Sequence, residues 1–260
     1  MKDIAILMPC WKSPELLKIS IPSLIKATKT NSEIIVILNE PDLESVKYLD
    51  SIGVKHIDVL TNDGPAAVDH AIPYMKKTGF KYVANVNSDM LFSEGWDIEL
   101  LKLHKQFSPC TVSCCLVEPI NGGQGIFEYL DFFDTNSHNI FNKNLQNGKY
   151  KTNLTYAYNH PILCTYDDYM SVNGYSNGLK QIWINSKGKG LDDDFPYRLR
   201  NKFGNSYNFI KSNKSFVYHA VSINSKKLIN RVAGNVPFKL ENGFDILQFK
   251  SKINYGKQIQ

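Results

Sequence analysis

Asn87-Ser88-Asp89, Asp192-Asp193-Asp194 and His219 are the residues whose types suit chemistry at a divalent cation. A hard divalent ion takes oxygen ligands and shares them with substrate phosphates, and histidine adds a nitrogen ligand or a hydrogen bond to phosphate. Asp89 follows a strand pattern, Lys81 to Val86, and is the first candidate metal ligand. His219 would complete the metal shell or bond the phosphate, and Asn87 and Ser88 could bind a ribose or a metal-bound water. Three adjacent carboxylates at 192–194 repel one another, and a helix start relieves part of that through its macrodipole, with Asp192 as a candidate N-cap. Arg198, one turn past Asp194, can pair with it. One carboxylate of the run is then held structurally while another can face an acceptor hydroxyl as a general base. Each segment also has a structural reading: a turn, an acidic helix cap, a surface histidine. Taken together they could neutralise a departing diphosphate, which points to transfer of a sugar from a nucleoside diphosphate.

The elements that must position these residues alternate. Ile4 to Met8 is a short, wholly apolar run and Glu33 to Leu38 is apolar after its first residue, as expected of strands buried on both faces of a parallel sheet. Ser13-Pro14-Glu15 offers an N-cap, a proline at the first helical position and an acid in the first turn. Leu17, Ile21, Leu24 and Ile25 give that helix an apolar face, and Pro22 should kink or divide it. A helix around Leu43 to Ile52, a strand from His56 to Leu60, a helical segment from Ala66 to Lys77 and the strand Lys81 to Val86 complete four β/α alternations in the first 90 residues. In such sheets ligands bind beyond the carboxyl ends of the strands. Asn39, Asp63 and Asp89 all fall there and could share one crevice. The second half is less regular. Thr111 to Val117 reads as a strand and Phe127 to Tyr158 as hairpins and loops. Short helices are expected over Asp167 to Val172 and Phe195 to Phe203, with a last strand from Ser215 to Tyr218. Lys226, Lys227 and Arg231 follow and could close over a pyrophosphate.

Composition narrows the class. At 260 residues the chain can bury one large core. A net charge of +5, with its lysines dispersed, suits a polyanionic donor but is too weak for a nucleic-acid footprint. No run is long and apolar enough to span a membrane, and the start is too short and acidic for a secretory signal, so a cytoplasmic protein is expected. The five cysteines, Cys10, Cys110, Cys114, Cys115 and Cys164, lack metal or disulfide spacing and read as reduced core thiols.

At these residues the chain resembles the GT-A glycosyltransferases, particularly family 2, over most of its length. Ile6 to Leu17 looks like the opening strand and helix of the nucleotide-binding half. Glu33 to Asn39 is similar to the second strand, with Leu38-Asn39 where the family carries two aspartates. Asn87-Ser88-Asp89, followed by Gly95-Trp96, resembles the family's D-x-D region, which implies that Asp89 binds Mn²⁺ or Mg²⁺. Gly190 to Arg198 resembles the Glu-Asp motif that ends in arginine. That places Asp192 on the catalytic base of inverting members and Leu191 on a glutamate that often touches the acceptor. His219 stands at the distance where several GT-A enzymes place a histidine ligand. His160-Pro161 and Asn173-Gly174-Tyr175-Ser176 look like the acceptor-side strand and the glycine turn before the motif.

The resemblance implies one α/β domain with a Rossmann-like, mostly parallel sheet flanked by helices. Residues 1–90 would form the nucleotide-binding half, 91–230 the acceptor-side half and 231–260 a C-terminal extension. Pro9, Trp11, Asn39, Asp63, Asn87, Ser88 and Lys226 are then expected at the nucleotide-diphosphate sugar, Asp89 and His219 at the metal, Asp192 as catalytic base, and Asp193 and Trp183 toward a glycan, lipid-linked or protein acceptor. Two rival readings share the sheet pattern. A non-catalytic GT-A-like domain would fit the changes at Leu38-Asn39 and Leu191. A sugar-phosphate nucleotidyltransferase would need a glycine-rich loop where Pro9-Cys10-Trp11-Lys12 stands.

Overall fold

The apolar runs become strands because their side chains have no aqueous side to face. A computed structural model of the chain describes residues 2–119, 125–158, 160–176, 191–220 and 259, with the side chains of 191–193 excepted. The first half comprises β1 (Ile4–Trp11), α1 (Pro14–Ala27), β2 (Ser32–Asn39), α2 (Leu43–Ser51), β3 (Lys55–Val59), a 3₁₀ segment (Gly64–Ala71), α3 (Ile72–Thr78) and β4 (Tyr82–Asn85). Strands β3, β2, β1 and β4 lie side by side and all parallel. Two local expectations change. Helix α1 runs through Pro22 undivided. That ring and Lys18 one turn back are exposed, so the orphaned carbonyl can meet water while Leu17, Ile21 and Leu24 pin the opposite face. Ser13 does not cap the helix with its side chain; its hydroxyl donates to the Trp11 carbonyl at 2.7 Å.

The second half comprises β5 (Met90–Phe92), α4 (Trp96–Phe107), β6 (Cys110–Glu118), β7 (Ile126–Phe127), α5 (Ser137–Gln146), β8 (Thr155–Tyr156), β9 (Ile162–Thr165), α6 (Tyr166–Ser171), α7 (Leu191–Phe203) and β10 (Asn208–His219). These strands extend the same sheet in the order β4-β9-β6-β10-β5, with β9 antiparallel to both neighbours, β10 parallel to β6, and β5 antiparallel to β10. Three expectations are corrected. Helix α5 lies where only loops and hairpins were expected, its Phe141 buried against Tyr150 and Tyr218. The final strand starts at Asn208, and its register shift between Lys211 and Phe216 explains the polar residues that hide it. There the Ser212 hydroxyl accepts from the backbone N–H groups of Lys214 and Ser215. Backbone at Leu191 is already helical, so Asp192 lies inside α7 rather than at its N-cap.

The sheet is covered on both faces. One core layer joins Leu17, Ile21 and Leu24 of α1 to Trp96 and Leu100 of α4. The other joins Ala67 and Met75 to Tyr169, Phe195 and Leu199 of the later helices. Each of the leucine, isoleucine, phenylalanine and methionine side chains among these stabilises the fold by ~1.5–3 kcal/mol on burial. All five cysteines are buried thiols outside any disulfide. Among the described residues no helix is long and apolar enough to cross a membrane.

Candidate active site

The carboxyl ends of β1, β2 and β4 open onto one cavity of about 310 Å³. Of the residues expected at a nucleotide, Pro9, Trp11, Asn39, Asn87 and Ser88 line it, and Asp89 lines it too. Its far wall is His160 and Tyr175, with His160 Nε2 3.0 Å from the Tyr175 hydroxyl. Trp11 is held at the rim: its indole N–H donates to Glu40 Oε2 at 2.9 Å, and Lys12 Nζ meets the same oxygen at 2.9 Å. Those two contacts, the indole first, hold the Glu40 carboxyl below its ordinary value. Cys10 also lines the cavity as a neutral thiol, pushed up to about 12 by burial.

Two residues expected at the nucleotide are held by bonds within the protein. Asp63 is 1 % exposed and is not among the lining residues. Its carboxylate accepts from the Thr61 hydroxyl at 2.7 Å and faces His70 Nε2 at 2.9 Å, because a buried charge needs donors. Asn39 lines the cavity, but both ends of its amide are engaged. Oδ1 accepts from the Asp63 N–H at 3.0 Å and Nδ2 donates to the Gly64 carbonyl at 3.2 Å. An aspartate could make only the first bond, which gives a physical reason for asparagine here. Its work is to fix the loop that follows β3.

Asp89 and His219 come together from opposite ends of the chain. The antiparallel register of β5 and β10 sets Met90 opposite His219, and the Asp89 carbonyl accepts from the Ala220 N–H at 2.9 Å. His219 Nε2 then lies 3.4 Å from Asp89 Oδ1, while Nδ1 lies 3.1 Å from Glu118 Oε1. Burial works against a charged imidazole, but Asp89 and Glu118 outweigh it and raise His219 to about 10. Burial likewise opposes the Asp89 carboxylate, and His219 overcomes it, so the acid is lowered. Sequence reading missed Glu118. Its signal was the single acid ending an otherwise apolar strand.

This donor set fits a divalent cation. A carboxylate oxygen and an imidazole nitrogen are suitable ligands, and two neighbours in an octahedral shell with bonds of ~2.1 Å stand ~3 Å apart, close to the spacing here. Glu118 on Nδ1 is the carboxylate that commonly orients a ligating histidine. Among the described residues no group of three or more His, Cys, Asp and Glu converges on one point, which would leave other positions of a cation to water or phosphate oxygens.

Asp192 and Asp193 belong to α7, with side chains outside the described residues. Trp183, Lys226, Lys189, Lys227 and Arg231 lie outside them altogether. The helix itself is tied to the cavity wall. Arg198 Nε meets Asp194 Oδ2 at 2.7 Å, and the same guanidinium donates to the carbonyls of Val172, Gly174 and Tyr175. Burial outweighs Arg198 and leaves the Asp194 carboxyl above its usual value. From the other side Asp69 accepts from the N–H groups of Tyr175 and Ser176, each at 2.7 Å, and from the hydroxyls of Tyr169 and Ser176. Gly174 is required twice over: its φ is +76°, and a Cβ there would come within 2.5 Å of Asp69 Oδ1.

The sequence profile of glycosyl transferase family 2 matches residues 5–169. No curated protein matches the chain. Among solved structures, S. aureus TarS 1–349 in complex with UDP aligns with TM-score 0.58 and 12% identity, over 88% of this chain and 63% of that one. GalNAc-T7 with UDP, GalNAc and Mn²⁺ aligns with TM-score 0.59 and 16% identity, over 85% and 44%. The chain thus spans less than two thirds of either relative. At such identities the likeness shows a shared α/β fold of the GT-A type.

Proposed function

The chain belongs to glycosyl transferase family 2, and from that premise we propose that it moves a sugar from a nucleoside-diphosphate donor to an acceptor hydroxyl with metal assistance and inversion. The observation that carries the reading is the Asp89–His219 pair, 3.4 Å apart, with Asp89 lining the cavity at the strand ends. Asp89 and His219 would hold Mn²⁺ or Mg²⁺, and a bound cation supplies charge neutralisation to the departing diphosphate. Trp11 offers a flat face for a base at the rim. The Asp192 carboxylate takes the acceptor proton as the acceptor oxygen bonds to the anomeric carbon and the carbon–phosphate-oxygen bond breaks, its electron pair leaving with the diphosphate.

The experiment is transfer and donor hydrolysis measured with purified protein and Mn²⁺, alongside Asp192→Asn and Asp89→Ala. Asp192→Asn should retain donor binding and lose transfer, and Asp89→Ala should lose Mn²⁺-dependent donor binding. Near-normal transfer by Asp192→Asn would remove the base assignment. A second reading, a GT-A-like domain that binds nucleotide or glycan without transfer, draws on Leu191 in the acidic motif and on the engaged amide of Asn39. Tight donor binding with neither hydrolysis nor transfer would favour it.

A further inference from the structure

Asn85, the last residue of β4, is 3 % exposed, yet neither Oδ1 nor Nδ2 of its side chain has a hydrogen-bond partner among the described residues. A buried primary amide without partners is destabilising, and native proteins keep few of them. Its register neighbours are aliphatic and fully buried or nearly so: Leu7 on β1 and Ile162 on β9. Asn85 does line the cavity, in the company of Val68, Val86, His160 and Tyr175. Leu7 pairs with Asn85, whereas Trp11 pairs with Asn39. Asn85 therefore lies four residues deeper along the strands than Asn39, on the order of 13 Å. It is an unengaged amide at the cavity floor, whereas each end of the Asn39 amide above it already holds a bond to the protein.

We propose that Asn85 is a specificity-determining contact to the sugar-nucleotide donor. Its amide gives one hydrogen bond and accepts one from a ligand edge that sets a donor beside an acceptor. This rests on the transferase reading above. Two parts of such a donor carry that edge: the nucleobase, and a sugar with vicinal hydroxyls or an acetamido group. The diphosphate does not, since it offers only acceptors and its charge would be matched by the cation that Asp89 and His219 hold. A site with a buried polar group to satisfy discriminates strongly against ligands that leave it unpaired, so Asn85 separates donors that Trp11 and the cation would bind alike.

The test measures calorimetric binding of UDP, CDP, GDP and ADP, and of UDP-glucose, UDP-galactose and UDP-N-acetylglucosamine, with Mn²⁺ present. Wild type, Asn85→Leu and Asn85→Ala are compared, and each is also melted without ligand. The best ligand should bind the variants roughly 10- to 100-fold more weakly, with discrimination across the series largely lost. Asn85→Leu should melt no lower than wild type, because an unsatisfied amide gives way to an apolar group of similar size. Weakening already seen with the bare nucleotide assigns the edge to the base, and weakening confined to nucleotide sugars assigns it to the sugar. If the leucine variant does not fold, the alanine variant carries the comparison. Affinities within about twofold of wild type across the series overturn the proposal and leave the transferase reading intact. A wild-type protein that binds none of these ligands overturns the transferase reading itself, and the proposal with it.

Discussion

Glu118 Oε1 lies 3.1 Å from His219 Nδ1, at the carboxyl ends of two adjacent parallel strands whose register pairs Val117 with Tyr218. With Nδ1–H donated to Glu118, Nε2 is the nitrogen presented to Asp89. Glu118 also accepts from the Gly125 N–H at 3.2 Å, so its own position is fixed. Glu118→Gln keeps the shape and removes the charge. It should weaken Mn²⁺ binding roughly 10- to 100-fold, the usual effect of losing a partner behind a ligating histidine. Titration followed by the electron paramagnetic resonance of unbound Mn²⁺ checks this, with and without nucleotide. Unchanged affinity would show that His219 needs no such orientation.

The turn at 172–176 is gripped through its N–H groups by Asp69 and through its carbonyls by Arg198, and it links α7 to Tyr175 in the cavity wall. Arg198→Lys cannot reproduce a fork that reaches Asp194 and three carbonyls together. A loss of ~1–3 kcal/mol in unfolding free energy is expected, since three carbonyls lose donors and the half-buried Asp194 is left with a poorer partner. Asp69→Asn should act more narrowly, because an amide oxygen can still accept two of the four bonds. There kcat is expected to fall about tenfold or more while donor affinity holds, the mark of a misplaced acceptor side. A fall in donor affinity with kcat unchanged would place the turn on the nucleotide side instead.

Legibility in the sequence followed burial. Ile4 to Met8 and Ile35 to Leu38 announced themselves because strand segments covered on both faces must be apolar. Their ends therefore located the cavity, and with it Pro9, Trp11, Asn39 and Asn87 to Asp89. Helix α5 was hidden: Ser137-His138-Asn139-Ile140-Phe141-Asn142 has weak helical propensity, and Phe141, buried on Tyr150 and Tyr218, is its one fully buried apolar residue, with Ile140 and Leu145 partly buried beside it. The direction of a polar side chain was hidden as well. Asp63 and Asn39 stand at strand ends as the pattern implies, yet Asp63 turns beneath its loop and Asn39 fastens it. Which polar group meets a ligand depends on which backbone groups lack partners after folding, and periodicity says nothing of that.

Asn39→Asp tests the loop directly, since it restores one carboxylate of the family pattern while deleting one donor. The Gly64 carbonyl loses its bond at 3.2 Å, and a carboxylate 2 % exposed faces it instead. An unfolding free energy lower by ~1–3 kcal/mol is expected from the unsatisfied acceptor and the unpaired charge. Chemical denaturation measures it. Equal stability would mean that the loop rearranges to supply new donors, and nucleotide affinity should then be re-examined in the same variant.

The cysteines give a check on the site that is independent of catalysis. Burial pushes Cys10 and Cys110 up to about 12 and raises Cys114 and Cys164 further, and all five thiols are buried. The sign is simple: the reactive thiolate appears only as pH approaches the raised value, so at pH 8 Cys10 stays the unreactive neutral thiol while an exposed thiol is partly ionised. Iodoacetamide at pH 8 should therefore leave the native protein unmodified over hours and alkylate all five residues in denaturant, read by mass spectrometry. Cys10 is the informative member, because it lines the cavity yet is only 2 % exposed. Rapid labelling of Cys10 in the native protein, suppressed by nucleotide, would show a more open cavity than the one described, and the depth assigned to Asn85 would have to be revised with it.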